Sequence, residues 1–208
     1  MIQSIVEDLK PKLSYPLPGA KAHQEMYFSG RDIVFSPPKH SMKAGVMLLL
    51  FPEQGETHLL YIRRKSIDGD VHKGQIGFPG GKMEEVDCED LTQTALRESE
   101  EEVGIKIPSV NVIGSLSPLY IPVSNFQVFP SIGYVDYKPE FELQPSEIES
   151  ILKIPLSYLS NKKIVGKKSI TTSSGLVLKD VPYYDLFGDV LWGATAMITA
   201  EFLALLKI

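Results

Sequence analysis

A run of glutamates at residues 98–102 is the part of the sequence whose residue types and spacing most directly suggest chemistry. Four of these five residues are glutamates, and the wider stretch 84–102 holds nine carboxylates against one cation. Carboxylate oxygens in such number are ligands that Mg²⁺ and Mn²⁺ prefer. The run therefore has two explanations, a divalent-cation site or a solvated acidic helix face.

The acidic run falls at the end of a helix predicted over residues 89–103. Asp87 is the predicted N-cap, and Glu89 follows in the first turn, where negative charge suits the helix dipole. Gly104 provides a left-handed stop. The glutamates therefore crowd the last turn, where each carboxylate opposes the dipole at a cost of about 0.3–1 kcal/mol.

Like charges along the helix add to this cost. Glu98 and Glu102 are one turn apart, and such a pair destabilises a helix by about 0.2–0.5 kcal/mol. Arg97 offsets only part of the repulsion, through its i+4 partner Glu101. Because the run breaks two local rules of helix stability at once, it is a candidate functional site. A bound cation would turn the repulsion into attraction.

The elements that position this helix are predicted from apolar runs and turn residues. With 208 residues, the chain fits one domain, 44–208, preceded by an N-terminal extension, 1–43, with a short helix and an irregular lead-in. Strands are predicted at 44–51, 57–63, 75–78, 110–116, 128–137, 164–171 and 176–179, a helical turn at 145–150, and helices at 1–13 and 191–207. This mixed order predicts an α/β fold with a mixed sheet flanked by helices.

Composition narrows the class of function. Residues 84–102 carry a net charge of −8 and the whole chain −5, so the acidity is local and no broad basic surface predicts a nucleic-acid partner. The longest apolar run, 44–52, is too short to span a membrane. The single cysteine, Cys88, excludes an intramolecular disulfide and suits a reducing compartment, so a cytoplasmic location is predicted.

The end of the acidic helix resembles a known motif. Residues 97–105, R-E-S-E-E-E-V-G-I, are similar to the second half of the Nudix box, G-x5-E-x7-R-E-U-x-E-E-x-G-U with U aliphatic, and only Ser99 departs from it. The first half is two residues longer than the pattern, counted from Gly81. Its acidic position therefore falls on Asp87 or on Glu89, and helix register favours Glu89.

The residues before the box resemble one subgroup of this family. Residues 72–81, H-K-G-Q-I-G-F-P-G-G, are similar to a stretch that precedes the box in coenzyme A diphosphatases. A small residue at the position of Ser99 is also common in that subgroup. Further similarity lies at 147–156 and 192–196, so the likeness spans about residues 44–205.

This resemblance implies a Nudix α/β/α sandwich that hydrolyses nucleoside diphosphates linked to another group, using Mg²⁺ or Mn²⁺. Carried over by position, Glu98, Glu101 and Glu102 are metal ligands together with the carbonyl of Gly81, and Glu98 and Glu101 belong to the catalytic centre. Arg97 would orient a glutamate of the box. Glu147 matches a later glutamate that binds metal or acts as general base.

Four further residues are candidates for substrate binding, each with a structural alternative. Arg63 and Arg64 form either a solvated strand end or a clamp on substrate phosphates. His72 contacts substrate or makes a structural hydrogen bond. Phe129 packs in the core or stacks on adenine. The lysines between residues 153 and 168 form a solvated hairpin or a seat for the 3′-phosphate of coenzyme A.

The sequence thus predicts an enzyme that cleaves coenzyme A or acyl-coenzyme A to 3′,5′-ADP and (acyl-)4′-phosphopantetheine. One alternative is a Nudix hydrolase acting on ADP-ribose, a dinucleotide cofactor or a damaged nucleoside triphosphate. A second is a regulator with this fold that binds a nucleotide without cleaving it. The predicted partner is a small nucleotide, with no nucleic acid and no membrane, and a homodimer is a family expectation.

Overall fold

The structure, a computed structural model, describes residues 2–28, 37–65, 74–173 and 175–206. The helices of these residues are α1 (Ile2–Leu13), α2 (Ala20–His23), α3 (Leu91–Val103), α4 (Leu156–Leu159) and α5 (Gly193–Leu205). The strands are β1 (Met42–Glu53), β2 (Glu56–Arg64), β3 (Ile76–Gly77), β4 (Gly80–Lys82), β5 (Asn111–Ser115), β6 (Leu119–Ile121), β7 (Phe126–Tyr134), β8 (Ile148–Pro155), β9 (Val165–Thr171), β10 (Val177–Leu186) and β11 (Asp189–Trp192). Among the described residues, no helix combines the length and apolarity needed to cross a membrane.

Strand β1 organises the main sheet. It runs parallel to β7 and antiparallel to both β2 and β4, while β2 also pairs with β3 and β8, and β7 with β5 and β6. Because β1 carries apolar side chains on both faces, both faces must be covered by other elements. The predicted hairpin of the first two strands is confirmed, with its turn at Gln54 and Gly55.

Helices cover the two faces of this sheet. Alternate residues of β1, including Met47 and Leu49, pack with Ala95 and Leu96 of α3. The intervening residues, including Leu48, pack in a second core cluster with α1 and α5. The predicted α/β/α sandwich with a mixed sheet is therefore confirmed.

A smaller sheet of β9, β10 and β11 stands beside the main one. Its predicted hairpin is confirmed, but β10 is longer than predicted and continues into β11, so the last helix begins at Gly193 rather than residue 191. The helical turn predicted at 145–150 is wrong in its second half, because Ile148 already belongs to β8, which pairs along β2. Polar residues interrupt the apolar ones in β8, which hid this strand.

The N-terminal extension packs onto the main domain. Ile2, Val6 and Leu9 of α1 are buried in the same core cluster as α5, which confirms the predicted amphipathic helix. The predicted boundary between the extension, 1–43, and the domain, 44–208, stays a prediction. The packing of α1 shows only that the extension shares a core with the residues after it.

Glu201 of α5 ties this extension to the rest of the chain. Its side chain is 0% exposed and accepts hydrogen bonds from the Gly19 amide (3.0 Å) and the Ser117 hydroxyl (2.7 Å), and it pairs with His23 Nε2 (2.9 Å). Burial raises the pKa of Glu201, but the bonds from His23 and Ser117 outweigh burial, so the net pKa is lowered. The carboxylate is therefore held charged inside the protein.

The Glu201 cluster predicts a pH-dependent stability. Because the folded pKa is lower than the unfolded one, the contribution of Glu201 is complete above pH 4.5 and is lost as the pH falls through the folded pKa. We expect Glu201→Gln to reduce the free energy of unfolding by about 1.5–3 kcal/mol at pH 7, and by less at pH 4. Urea unfolding at the two pH values measures both effects.

The control for this experiment is Glu7→Gln, which changes an exposed carboxylate of α1 and should stay within about 0.5 kcal/mol of the wild type. An equal loss of stability at pH 4 and pH 7 in Glu201→Gln would contradict the charged state assigned to Glu201.

Candidate active site

The acidic helix α3 begins later than predicted. Its N-cap is Asp90, whose carboxylate accepts a hydrogen bond from the Thr92 amide (2.8 Å), and its stop at Gly104 has the predicted left-handed conformation. The prediction of Asp87 as N-cap is wrong. Cys88 and Glu89 both adopt left-handed backbone angles, so they turn the chain between Asp87 and the helix. This turn absorbs the two extra residues of the motif.

Asp87 instead binds the side of the helix. It is 3% exposed and accepts hydrogen bonds from Arg97 Nε (2.9 Å) and Nη2 (3.1 Å), from the Thr94 hydroxyl (2.9 Å) and from the Glu84 amide (2.8 Å). The bond from Arg97 outweighs burial and lowers the pKa of Asp87 to about 2. Asp87 is therefore a charged anchor for Arg97.

This contact decides between the two candidates for the acidic position of the motif. Asp87 meets the arginine of the motif, whereas Glu89 is exposed at the loop tip with a φ of 61°. The preference for Glu89 is therefore corrected in favour of Asp87. Helix register favoured Glu89 because it assumed that the helix continued back to that residue.

Arg97 connects the anchor to the acidic run. Its Nη1 donates to Glu98 (2.8 Å) and to Glu101 (3.1 Å), the predicted i+4 partner, and its Nη2 donates to the Lys82 carbonyl (3.2 Å). Hydrogen bonding to Asp87, which outweighs the effect of burial, and pairing with Glu98 raise the pKa of Arg97. One fixed cation thus holds three carboxylates.

Glu98 lies against Gly81 of β4. A Cβ atom at Gly81 would overlap the Glu98 carboxyl group, so only glycine lets the carboxylate approach the backbone here. Burial raises the pKa of Glu98; hydrogen bonding to Arg97 opposes the rise, and the charges of Glu101 and Glu147 add to it. Glu98 therefore lies against Gly81, and Glu101 and Glu147 are near enough for their charges to act on it.

Glu102 is the most buried carboxylate of the run. It is 2% exposed, and its two oxygens accept hydrogen bonds from the Gly80 amide (2.9 Å) and Arg64 Nη1 (3.0 Å). Burial raises its pKa to about 7, with Glu98 and Glu147 adding to the rise and Gly80 and Arg64 opposing it. Glu102 therefore does not belong to a solvated acidic face.

Glu147 reaches the cluster from the turn before β8. It is exposed, and its charge raises the pKa of both Glu98 and Glu102. Its carbonyl accepts a hydrogen bond from the Lys65 amide (2.7 Å), which joins this turn to the end of β2. A glutamate 45 residues beyond Glu102 is thus held beside the acidic helix.

The chemistry of this cluster fits a hard divalent cation, since its donors are carboxylate and backbone oxygens and its charges repel one another. The present side-chain directions do not form a closed site. In the part of the chain that the structure describes, no three acidic, histidine or cysteine side chains converge closely enough to hold an ion. The reason is visible in the contacts: Glu98 and Glu101 turn to Arg97, and Glu102 turns to Arg64.

The two candidate phosphate-binding arginines lie on opposite faces of the sheet. Arg64 pairs with Glu102 of α3, whereas Arg63 pairs with Asp189 of β11 (2.5 Å). Consecutive residues of a strand point to opposite faces, a rule that could have separated the two from the sequence. They therefore do not form a joint clamp, which was one of the two alternatives for these arginines.

Arg63 lines an open groove of about 400 Å³ between β3 and the small sheet. The other lining residues are Gly74, Gln75, Ile76, Lys168, Ser169, Ile170, Thr171, Gly188, Asp189, Val190 and Trp192. Sequence reasoning missed this groove, because its walls come from segments about a hundred residues apart in the chain. The only signal was the lysine-rich hairpin, of which Lys168 lines the groove.

Two candidates for substrate binding remain, Phe129 and His72. Phe129 pairs with Gly45, and Gly45 pairs on its other side with Gly81, so Phe129 shares the α3 face at about 10 Å from Gly81, two strand spacings away. His72 lies outside the described residues.

The Asp87 anchor predicts a test that separates it from Glu89. Asp87→Asn should lower the free energy of unfolding by about 1.5–3 kcal/mol, because it removes a charged partner of Arg97 at a buried position. Glu89→Gln, two residues away, should stay within about 0.5 kcal/mol. Urea unfolding at pH 7 measures both, and a larger effect at Glu89 would reverse the assignment.

Comparisons with known proteins bear on the family of this chain. Residues 42–165 match the family model of the NUDIX domain. The chain is 33% identical over 165 residues to mitochondrial coenzyme A diphosphatase NUDT8 of Homo sapiens, with 78% of this chain and 69% of that protein covered. It is 34% identical over 136 residues to peroxisomal coenzyme A diphosphatase NUDT7 of Mus musculus. This alignment covers 64% of this chain and 55% of the relative, so the chain spans about half the length of that protein.

A solved structure shares the fold. The MutT protein from Methanosarcina mazei Go1 superposes with a TM-score of 0.50 at 17% identity, over 78% of this chain and 92% of that one. The family match covers more than half of the chain, and the NUDT8 alignment covers more than two thirds of that relative. The chain therefore belongs to the Nudix family and is a hydrolase of diphosphate bonds.

Proposed function

We propose that this hydrolase cleaves the diphosphate of coenzyme A or acyl-coenzyme A. The observation that carries the proposal is the carboxylate cluster around Glu98, held by Arg97 beside Gly81 in a chain similar to two coenzyme A diphosphatases. Water would attack one phosphorus, the bond to the bridging oxygen would break, and the attacking water would give up its proton. The products are 3′,5′-ADP and (acyl-)4′-phosphopantetheine.

A divalent cation, Mg²⁺ or Mn²⁺, is part of this proposal, since Nudix hydrolases generally need one. Glu98, Glu101 and Glu102 would hold it, together with the carbonyl of Gly81. When bound, the cation would lower the pKa of a bound water and neutralise the charge of the diphosphate. Without it, the acidic helix would repel a multiply anionic substrate.

The residues of the chain have separate roles in this proposal. Asp87 fixes Arg97, and Arg97 directs the carboxylates of Glu98 and Glu101. The Gly80 amide and Arg64 direct Glu102, so Arg64 positions a site carboxylate instead of contacting substrate phosphate. These contacts keep the carboxylates close together, and Glu98, Glu101 and Glu102 would turn from Arg97 and Arg64 to hold a cation.

The proton of the attacking water needs an acceptor, and Glu147 is the candidate that stands apart from the helix. It is exposed yet close enough to raise the pKa of Glu98 and Glu102. A carboxylate in such a place can accept a proton or bind metal, and both roles stay open for Glu147. The roles of Phe129 and His72 in substrate binding, a homodimer and a cytoplasmic location also stay predictions.

A second candidate function is hydrolysis of another nucleoside diphosphate derivative, such as ADP-ribose. The resemblance implies a family that hydrolyses many nucleoside diphosphates linked to another group. The carboxylates of the cluster would suit any of these diphosphates. A regulator that binds without cleaving is disfavoured, because binding alone does not require buried, mutually repelling carboxylates.

The first prediction of this proposal concerns the substrate. Purified protein with Mg²⁺ or Mn²⁺ should convert coenzyme A to 3′,5′-ADP, measured by chromatography, and should cleave ADP-ribose more slowly. Faster cleavage of ADP-ribose would favour the second candidate function. No cleavage of any diphosphate substrate would favour the regulator.

The second prediction concerns the carboxylates. Glu98→Gln should lower kcat by at least about 100-fold, because it removes a charge from the reacting centre. Its melting temperature should remain close to that of the wild type, since the amide keeps the size of the side chain. The matched control is Glu100→Gln, which lies on the same helix but pairs with Lys106 (3.3 Å) away from the cluster. Equal activity of the two variants would contradict the assignment.

A further inference from the structure

The groove beside β3 is lined by a cation, Lys168, and an aromatic ring, Trp192, and Tyr183 lies next to both in the small sheet. Tyr183 of β10 pairs on one side with Gly166 of β9 and on the other with Trp192 of β11, so these three residues share one face of the small sheet. Lys168 lies on the same face, two residues from Gly166, and its Nζ stands 5.4 Å from the centre of the Tyr183 ring. Lys168 and Trp192 both line the groove.

Of the described residues that line the groove, Lys168 carries the charge that no neighbouring residue of the lining neutralises. Its lining residues include two cations, Arg63 and Lys168, and one anion, Asp189. Since Arg63 and Asp189 form an ion pair at 2.5 Å, they largely neutralise each other. Lys168 is exposed to solvent, so its ammonium group can move toward a ligand. Among the lining residues that the structure describes, the groove therefore offers one accessible positive charge beside an indole ring.

We propose that Lys168 determines substrate specificity by binding a phosphate monoester on the nucleotide part of the substrate. This inference rests on the proposed function and names the part of the substrate that the groove receives. A phosphate monoester carries up to two negative charges and accepts charge-assisted hydrogen bonds from an ammonium group. Trp192 offers a flat surface for the base of the same nucleotide.

The proposal places the diphosphate of the substrate at the carboxylate cluster and its nucleotide in the groove. Arg63 and Arg64 are successive residues of β2, and Arg63 lines the groove while Arg64 binds Glu102 of the carboxylate cluster. The cluster and the groove therefore lie at the same end of β2, on opposite faces of the sheet. In this proposal, the diphosphate lies at the cluster, and the nucleotide would pass the end of β2 to bring its outer phosphate to Lys168 on the other face.

Lys167 provides a matched control. It is the preceding residue of β9, carries the same charge, is exposed, and is absent from the groove lining. It pairs with Pro182, whereas Lys168 pairs with Val181, so the two lysines lie on opposite faces of the strand. A general effect of lost positive charge would be the same in both variants.

The test compares coenzyme A with dephospho-coenzyme A, which lacks only the 3′-phosphate, in wild type, Lys168→Met, Lys168→Arg and Lys167→Met. Lys168→Met should raise KM for coenzyme A about tenfold and leave kcat and the dephospho substrate within twofold. Lys168→Arg should restore most of the preference, and Lys167→Met should keep it. An equal effect of Lys168→Met on both substrates would overturn the inference.

Calorimetric measurement of nucleotide binding tests the phosphate site without requiring that coenzyme A is cleaved. Wild type and Lys167→Met should bind 3′,5′-ADP more tightly than 5′-AMP, and Lys168→Met should bind the two alike. If the wild type binds both nucleotides alike, the inference is wrong even when coenzyme A is cleaved. If coenzyme A is not cleaved but the binding difference depends on Lys168, the proposed function is wrong and the monoester site stands.

Discussion

The site depends on two glycines of the sheet, one that lets the backbone of α3 approach and one that makes room for the Glu98 carboxylate. A Cβ at Gly45 would overlap the Leu91 carbonyl at the start of the helix, and a Cβ at Gly81 would overlap the Glu98 carboxyl near its end. Gly45 and Gly81 are paired across β1 and β4. At Gly45 the helix backbone lies directly on the strand, and at Gly81 the Glu98 carboxylate occupies the space that a side chain would take, so the inner side of the helix holds its carboxylates close to the sheet.

Burial of like charges requires fixed opposite charges, and the chain supplies them in layers. Asp87 holds Arg97, Arg97 holds Glu98 and Glu101, and the Gly80 amide and Arg64 hold Glu102. These contacts offset the cost of placing the carboxylates at the wrong end of a helix dipole. The raised pKa values of Glu98 and Glu102 show that the offset is incomplete, which is the condition that a bound cation would relieve.

Much of this arrangement could be predicted from the sequence, because it depends on local pattern. Gly104 ended the acidic helix as expected, and apolar runs located β1 and β2. The position of Asp87 could not be predicted, since helix register cannot reveal a left-handed turn at Cys88 and Glu89. The groove was missed because contacts between distant strands create it. That Arg63 and Arg64 point to opposite faces could have been predicted, because side chains alternate along a strand.

Binding of Mn²⁺, measured by calorimetry, tests most directly whether the buried carboxylates form a cation site. The wild type and Glu100→Gln should both show saturable binding, and the double variant Glu98→Gln/Glu102→Gln should lose it while remaining folded by circular dichroism. Saturable binding that persists in the double variant, or is absent from the wild type, would contradict the account of the acidic helix given by its contacts with Arg97 and Gly81.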